Sequence, residues 1–259
     1  MSRKIDRAWK IAGSLVAVPV LVIGATQVAS ALAHEERTEV AEVEAAGLRT
    51  IDVDNAAGSI RVVGVEGADT VSISARISDG WRKSGHRVHR DGDRLVVEGS
   101  CPNFLSEWCN VRYTIEVPSD LAVVAQADNG RVTVTDLEGD VEARSDNGGV
   151  ELARIEGDVI ADSDNGSVTA TDIRAATAEA TSDNGDVLFE VVDPPQSISG
   201  ESDNGDVEVV LPRSDLLYNV ATETDNGSVT MSVRFDPDSD RSITATSDNG
   251  DVSVHYALD

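Results

Sequence analysis

The tripeptide Asp-Asn-Gly occurs seven times: Asp128-Asn129-Gly130, Asp146-Asn147-Gly148, Asp164-Asn165-Gly166, Asp183-Asn184-Gly185, Asp203-Asn204-Gly205, Asp225-Asn226-Gly227 and Asp248-Asn249-Gly250. Successive asparagines lie 18, 18, 19, 20, 22 and 23 residues apart. If the copies stack in register at a strand spacing of about 4.8 Å, their carboxylates form a column. Neighbours in it would repel by about 1 kcal/mol in water and about 3.5 kcal/mol at an effective dielectric of 20. Such carboxylates must be solvated, hydrogen-bonded or cation-bound, so a calcium-binding edge is one chemistry open to them. The glycine-rich nonapeptide that cradles calcium in secreted repeats is not reproduced here. The plainer reading is a turn, since Gly and Asn accept positive φ and Asp bonds its own backbone two residues on. A degenerate eighth copy is read at Asp54-Asn55 in VDNAAGSIRV.

Other reactive residues form no catalytic pattern. The sequence has no G-x-S-x-G elbow, no phosphate-binding G-x-x-x-x-G-K-[ST] and no H-E-x-x-H. Of the four histidines, His34, His86, His89 and His255, the middle pair is three apart in an extended segment and points to opposite faces. Carboxylates are so abundant in the second half that a glycosidase-like pair there carries no signal. Sugar stacking would need aromatic faces, yet Phe189, Tyr218, Phe235 and Tyr256 are scattered, with Phe189 on the inward register. Trp81, Phe104 and Trp108 fall in an irregular region, either packed on the end of the repeats or forming a contact patch. The two cysteines, Cys101 and Cys109, bracket CPNFLSEWC between strand-like runs and are expected to form a disulfide; zinc would need more ligands.

The elements that position these residues follow from the repeat itself. Val141, Ala143 and Ser145 before one turn and Val150 and Leu152 after it share a face, while Glu142, Arg144 and Glu151 take the other. Gly139, Gly148, Gly157 and Gly166 lie nine residues apart, so one coil is two strands and two turns. Asn-Gly is also a strong hairpin signal, which keeps an antiparallel meander in view. Equivalent Asp, Asn, Gly and Val in every copy favour like stacking on like. The expectation is an all-β chain, a parallel β-solenoid (β-helix) of 18 to 23 residues per coil over residues 48–259. Within it, residues 65–118 read as an irregular hairpin and disulfide region and 119–259 as regular repeats.

Arg3, Lys4, Arg7 and Lys10 precede an uncharged stretch from Ile11 to Ala33. This basic-then-apolar order predicts an N-terminal hydrophobic helix that serves as a transmembrane anchor, with the domain outside; Ala31-Leu32-Ala33 alternatively offers a signal-peptidase site, giving a secreted chain. Residues 34–47 are Glu-rich, lack apolar periodicity and read as a stalk. Of the formal charge of -26, most lies from Gln126 onward, where 30 acidic residues face 7 basic ones. That surface excludes nucleic-acid binding, which needs clustered Lys and Arg. A cell-surface polymer, a protein or cations remain as partners, and no cofactor is implied.

The basic-then-apolar N-terminus, the run GDRLVVEGSC, and CNVRYTIEVPSDLAVVAQADNGRVTVTDLEGDVEARSDNGGVEL with the repeats beyond it resemble the bacterial putative-adhesin family, domain-of-unknown-function family 4097. The resemblance implies a β-solenoid domain of envelope proteins, some associated with envelope-stress operons, and supplies no catalytic residues. The expected function is a non-enzymatic structural, adhesive or stress-associated role in the envelope. A polysaccharide-binding or polysaccharide-active β-helix and a calcium-stabilised surface module are the alternatives. The later repeats lengthen through Leu216 to Val220 and Asp236 to Asp240, which places irregular coils near the C-terminus.

Overall fold

The computed structural model describes residues 35–79, 83–101 and 109–258. The expected basic end and hydrophobic segment, together with His34, Trp81, Phe104 and Trp108, lie outside the described residues.

Five serial coils form the middle of the molecule. They are β8 (Ala122–Ala127) with β9 (Val132–Leu137), β10 (Val141–Ser145) with β11 (Val150–Ile155), β12 (Val159–Ser163) with β13 (Val168–Ile173), β14 (Thr177–Ser182) with β15 (Val187–Val191), and β16 (Ser197–Ser202) with β17 (Val207–Leu211). Each strand lies parallel to its equivalent one coil away, and like pairs with like: Ala143 with Ala161 and Ala125, Val150 with Val168 and Val132. This parallel register establishes the solenoid and removes the meander. The first strands of the coils build one sheet and the second strands the other, and the inward residues of both meet in a single core. The alternation places them there: Val141, Ala143, Ser145, Val150 and Leu152 are buried, whereas Arg144 faces solvent. Gly200 takes the place that Ala180 and Ala245 hold in adjoining coils. A Cβ there would lie 3.1 Å from Val207 Cγ1 and 3.9 Å from Phe189 Cδ2, so the small residue fits the coils around the large buried ring.

At both ends the stacking order departs from chain order. Near the start, β2 (Thr50–Asn55) and β3 (Ile60–Val65) lie between the coil of β8 and β9 and an outer coil made by β6 (Arg94–Ser100) and β7 (Asn110–Pro118). Near the finish, β20 (Ser242–Ser247) and β21 (Val252–Tyr256) slot between β16–β17 and an outermost coil of β18 (Asn219–Thr224) and β19 (Val229–Met231). The lengthened segments are the crossings that this exchange requires, and they pair at Tyr218 and Phe235.

The hairpin region is present, but two of its strands, β6 and β7, belong to the parallel stack. β5 (Gly85–Asp91) folds back on β6, and β4 (Thr70–Asp79) runs antiparallel to β7. The stalk reading is corrected. Residues Glu35–Glu44 form β1, which pairs antiparallel with β4 along its whole length. An edge strand needs only one inward face, here supplied by Arg37, Ala41 and Val43, so its Glu-rich outer face hides the alternation. Arg37 forms an ion pair with Asp79, which is 2% exposed, and donates to the carbonyl of Ser84 at 3.1 Å. Ser84 in turn donates its backbone N–H to Asp79 Oδ1 at 2.6 Å and sets its hydroxyl 3.0 Å from Cys109 Sγ. Cys109 is joined to Cys101, as expected, with 5.8 Å between the Cα atoms.

Candidate functional site

The seven Asp-Asn-Gly turns come together in one continuous ladder on the edge of the solenoid. In space its order is Asn129, Asn147, Asn165, Asn184, Asn204, Asn249 and Asn226, because the last coil of the chain is the penultimate one of the stack. Each interior asparagine donates its Nδ2 twice. Asn165, for example, donates to the carbonyl of Asp146 at 2.9 Å and to Asn147 Oδ1 at 3.3 Å, and Asn147, Asn184, Asn204 and Asn249 repeat the arrangement. The side-chain amides thus extend the backbone ladder by one further row.

In six of the seven copies, all but the first, where Ala127 stands, the residue before Asp completes the turn from inside. Ser145, Ser163, Ser182, Ser202 and Ser247 are buried and donate their hydroxyls, at 2.8–2.9 Å, to the carbonyl of the turn glycine in the neighbouring coil. Thr224 does the same at the outermost coil. Of the seven motif glycines only Gly130 takes the expected positive φ, at 156°, and the glycines serve chiefly another purpose. A Cβ on Gly148 would lie 2.5 Å from the carbonyl oxygen of Gly130, and one on Gly166 would lie 2.6 Å from that of Gly148. Backbone passes over backbone here with no space for a side chain. Among the described non-glycine residues, positive φ occurs near the ends of β9, β11 and β13, in Asp136, Arg154 and Asp172, where the Arg154 guanidinium holds the Asp136 carboxylate through bonds of 2.5 and 2.9 Å and keeps its pKa below the usual carboxylate range.

The eighth copy is present, displaced from where the sequence suggested it. Asn55 pairs with Ala127, so Ala56-Ala57-Gly58 occupies the turn and Asn55 takes the buried serine position. Its Nδ2 donates to the carbonyls of Gly58 and Val111 at 2.8 and 2.7 Å. Asn129, the first full copy, then donates to the carbonyl of Ala56 at 3.1 Å.

The motif aspartates Asp128, Asp146, Asp164, Asp183, Asp203, Asp225 and Asp248 all have exposed side chains. A second acidic row lies just past the glycines and is bound into the backbone. Asp186 Oδ1 accepts the Asp206 N–H at 3.0 Å, Asp206 Oδ1 that of Asp251 at 2.8 Å, and Asp251 Oδ1 that of Ser228 at 2.8 Å. Among the described residues, no group of three or more His, Cys, Asp or Glu side chains is arranged to hold a metal ion.

One cleft of about 370 Å³ opens where the ladder begins, lined by Asp54, Asp128, His86, Arg87, Glu98 and Ser100. Partial withdrawal from water, reinforced by the charges of Asp128, Asp52 and Glu98, raises the Asp54 carboxyl above its ordinary value. His86 Nδ1 lies 2.9 Å from Tyr113 Oη, whose proton goes to the carbonyl of Glu98 at 3.0 Å, so Nδ1 carries the proton in this pair. Burial lowers the His86 pKa, against the opposing charge of Glu39, and favours the neutral ring. His89 faces away from it, as its spacing predicts. Arg87 is engaged by Glu98 at 3.2 Å. The cleft brings together an acidic rim and His86, which is hydrogen-bonded to the fully buried Tyr113. The sequence missed this grouping because its members come from β2, β5, β6 and the first turn, which only the exchanged coil order makes neighbours.

The crystal structure of a putative adhesin from Bacteroides fragilis NCTC 9343 superposes with a TM-score of 0.51 at 14% identity, over 85% of this chain and 97% of that one. A putative cell adhesion protein from Clostridium sporogenes ATCC 15579 gives 0.42 at 11% identity, over 86% and 100%, and a putative adhesin from Parabacteroides distasonis ATCC 8503 gives 0.47 at 13%, over 84% and 97%. Comparison with curated protein sequences gives no match. The family model described as Toastrack DUF4097 matches residues 38–258, nearly all of the described solenoid, and the chain therefore belongs to the toastrack DUF4097 family.

Proposed function

We propose that this protein is a non-enzymatic structural and adhesive module of the bacterial envelope, held to the membrane through its N-terminal segment and carrying its solenoid on the extracytoplasmic side. The observation that carries this reading is the fate of the repeated motif. Its asparagine amides, serine hydroxyls and glycine backbone are all consumed in holding one coil to the next. What the repeats present outward is a regular acidic face with carboxylates in solvent. Such a surface suits contact with a cell-surface polymer or protein, and the putative adhesin from Bacteroides fragilis, which shares the fold, supports the same reading. The disulfide between Cys101 and Cys109 supports an oxidising, extracytoplasmic location. The test is a turnover screen of the full chain in detergent against a broad polysaccharide panel, read by newly released reducing ends. No release is expected. Release that a substitution of Asp54 or Asp128 abolishes without lowering the melting temperature would contradict the reading and favour a polysaccharide-active enzyme.

A further inference from the structure

We propose that the outermost coil, β18 with β19, is a self-association surface through which two copies of this chain join end to end across a two-fold axis. Both sheets terminate there, and β18 and β19 are each paired on one side only. Each therefore presents a row of unpaired backbone N–H and C=O groups. Around these edges Leu216, Leu217, Val229, Met231 and Phe235 are 38–48% exposed, five of the nine large apolar residues that are exposed among those described. The opposite end is closed differently. Its outer strands run antiparallel to their neighbours and are charged, β1 with five glutamates and β5 with Arg87 and Arg90. Charged edges of this kind discourage pairing.

The geometry points to a second copy as the occupant. The two open edges belong to different sheets of one coil, so a single bound strand covers only one of them. A body that covers both has to present two strands at the same inter-sheet spacing, as the same coil of another molecule does. A two-fold axis normal to the sheets sets β18 antiparallel to its copy and β19 antiparallel to its copy, continuing both sheets at once. The contact is self-complementary and closes at two copies, because the charged ends cannot extend it. Since β1 lies at the other end, a chain tethered before β1 carries this surface at its distal tip, and pairing links two envelope-borne molecules tip to tip. That consequence, unlike the pairing, rests on the envelope function proposed above.

The experiment uses the full chain in detergent, with mass read by sedimentation and pairing geometry by cysteine cross-linking. The expected result is a dimer that Thr230→Cys cross-links under mild oxidation and Thr38→Cys, on β1, does not. The double variant Val229→Lys/Met231→Lys is expected to be monomeric with unchanged circular dichroism and melting temperature. A monomeric parent chain, a double variant that remains dimeric, or cross-linking at Thr38 instead of Thr230 would overturn the proposal. Clustering of vesicles that carry the reconstituted chain tests the bridging consequence separately. Cross-linked dimers without clustering would sustain the interface and reject the tip-to-tip bridge.

Discussion

At Gly148 the backbone of one coil lies against the carbonyl of Gly130 so closely that an added methyl group has nowhere to go. Gly148→Ala is expected to cost about 1–3 kcal/mol in urea unfolding, the usual range for overpacking at a rigid contact. The amide ladder makes a chemical prediction as well. An Asn-Gly bond deamidates when the glycine nitrogen attacks the asparagine Cγ, ammonia leaves and water opens the resulting succinimide. Interior asparagines have Nδ2 fixed by two acceptors, whereas Asn226, at the end of the ladder, has one, Asn249 Oδ1 at 3.0 Å. Peptide mass spectrometry after incubation in mildly alkaline buffer should find deamidation at Asn226 ahead of Asn165 and Asn184. Asp54 supplies a pH prediction. Its carboxyl is raised above 3.8, so the stability linked to it is present below that value and is lost as pH rises through the folded-state pKa. Asp54→Asn should therefore melt higher than the parent at neutral pH, and the difference should close at about pH 3, below both pKa values.

Among the elements, β1 shows how far a sequence pattern can mislead. Its glutamates read as a stalk, yet Arg37 on its inner face reaches the buried Asp79 at the disulfide corner. Removing that guanidinium leaves a buried carboxylate without its counter-charge, so Arg37→Ala should lower stability by about 3–5 kcal/mol in denaturant unfolding. The serial coils were legible because their inward residues alternate without interruption and equal turns recur at nearly equal intervals, as in Val141 to Leu152. The disulfide was legible because two cysteines closed one short loop. Asn55 was misplaced by two residues because Asp-Asn in VDNAAGSIRV imitates the motif, while the residue that fixes register is Gly58, whose carbonyl lies against Gly130. The cleft at Asp54, His86 and Glu98 was illegible for a further reason, since periodicity specifies the faces of a strand and says nothing of which coil stacks on which.

On the scale of the whole molecule, the exchange of coil order at both ends has a mechanical consequence. The final strands, β20 and β21, lie inside the stack, where Ile243, Ala245, Val252 and Val254 are fully buried, and the outermost coil is tethered by chain on both sides. Unravelling of the stack from the side of β20 and β21 is thereby opposed. The central claim is the proposal that this stack carries its long acidic face without bound cations. It is tested most directly by melting the full chain in excess calcium and in chelator. A specific site filled at about a hundredfold over its dissociation constant would add about 2.7 kcal/mol. For a domain of this size that corresponds to a rise of roughly 5–10 °C. Equal melting temperatures are predicted; a calcium-dependent rise of that size would show that the Asp-Asn-Gly column is an ion site and would contradict the account.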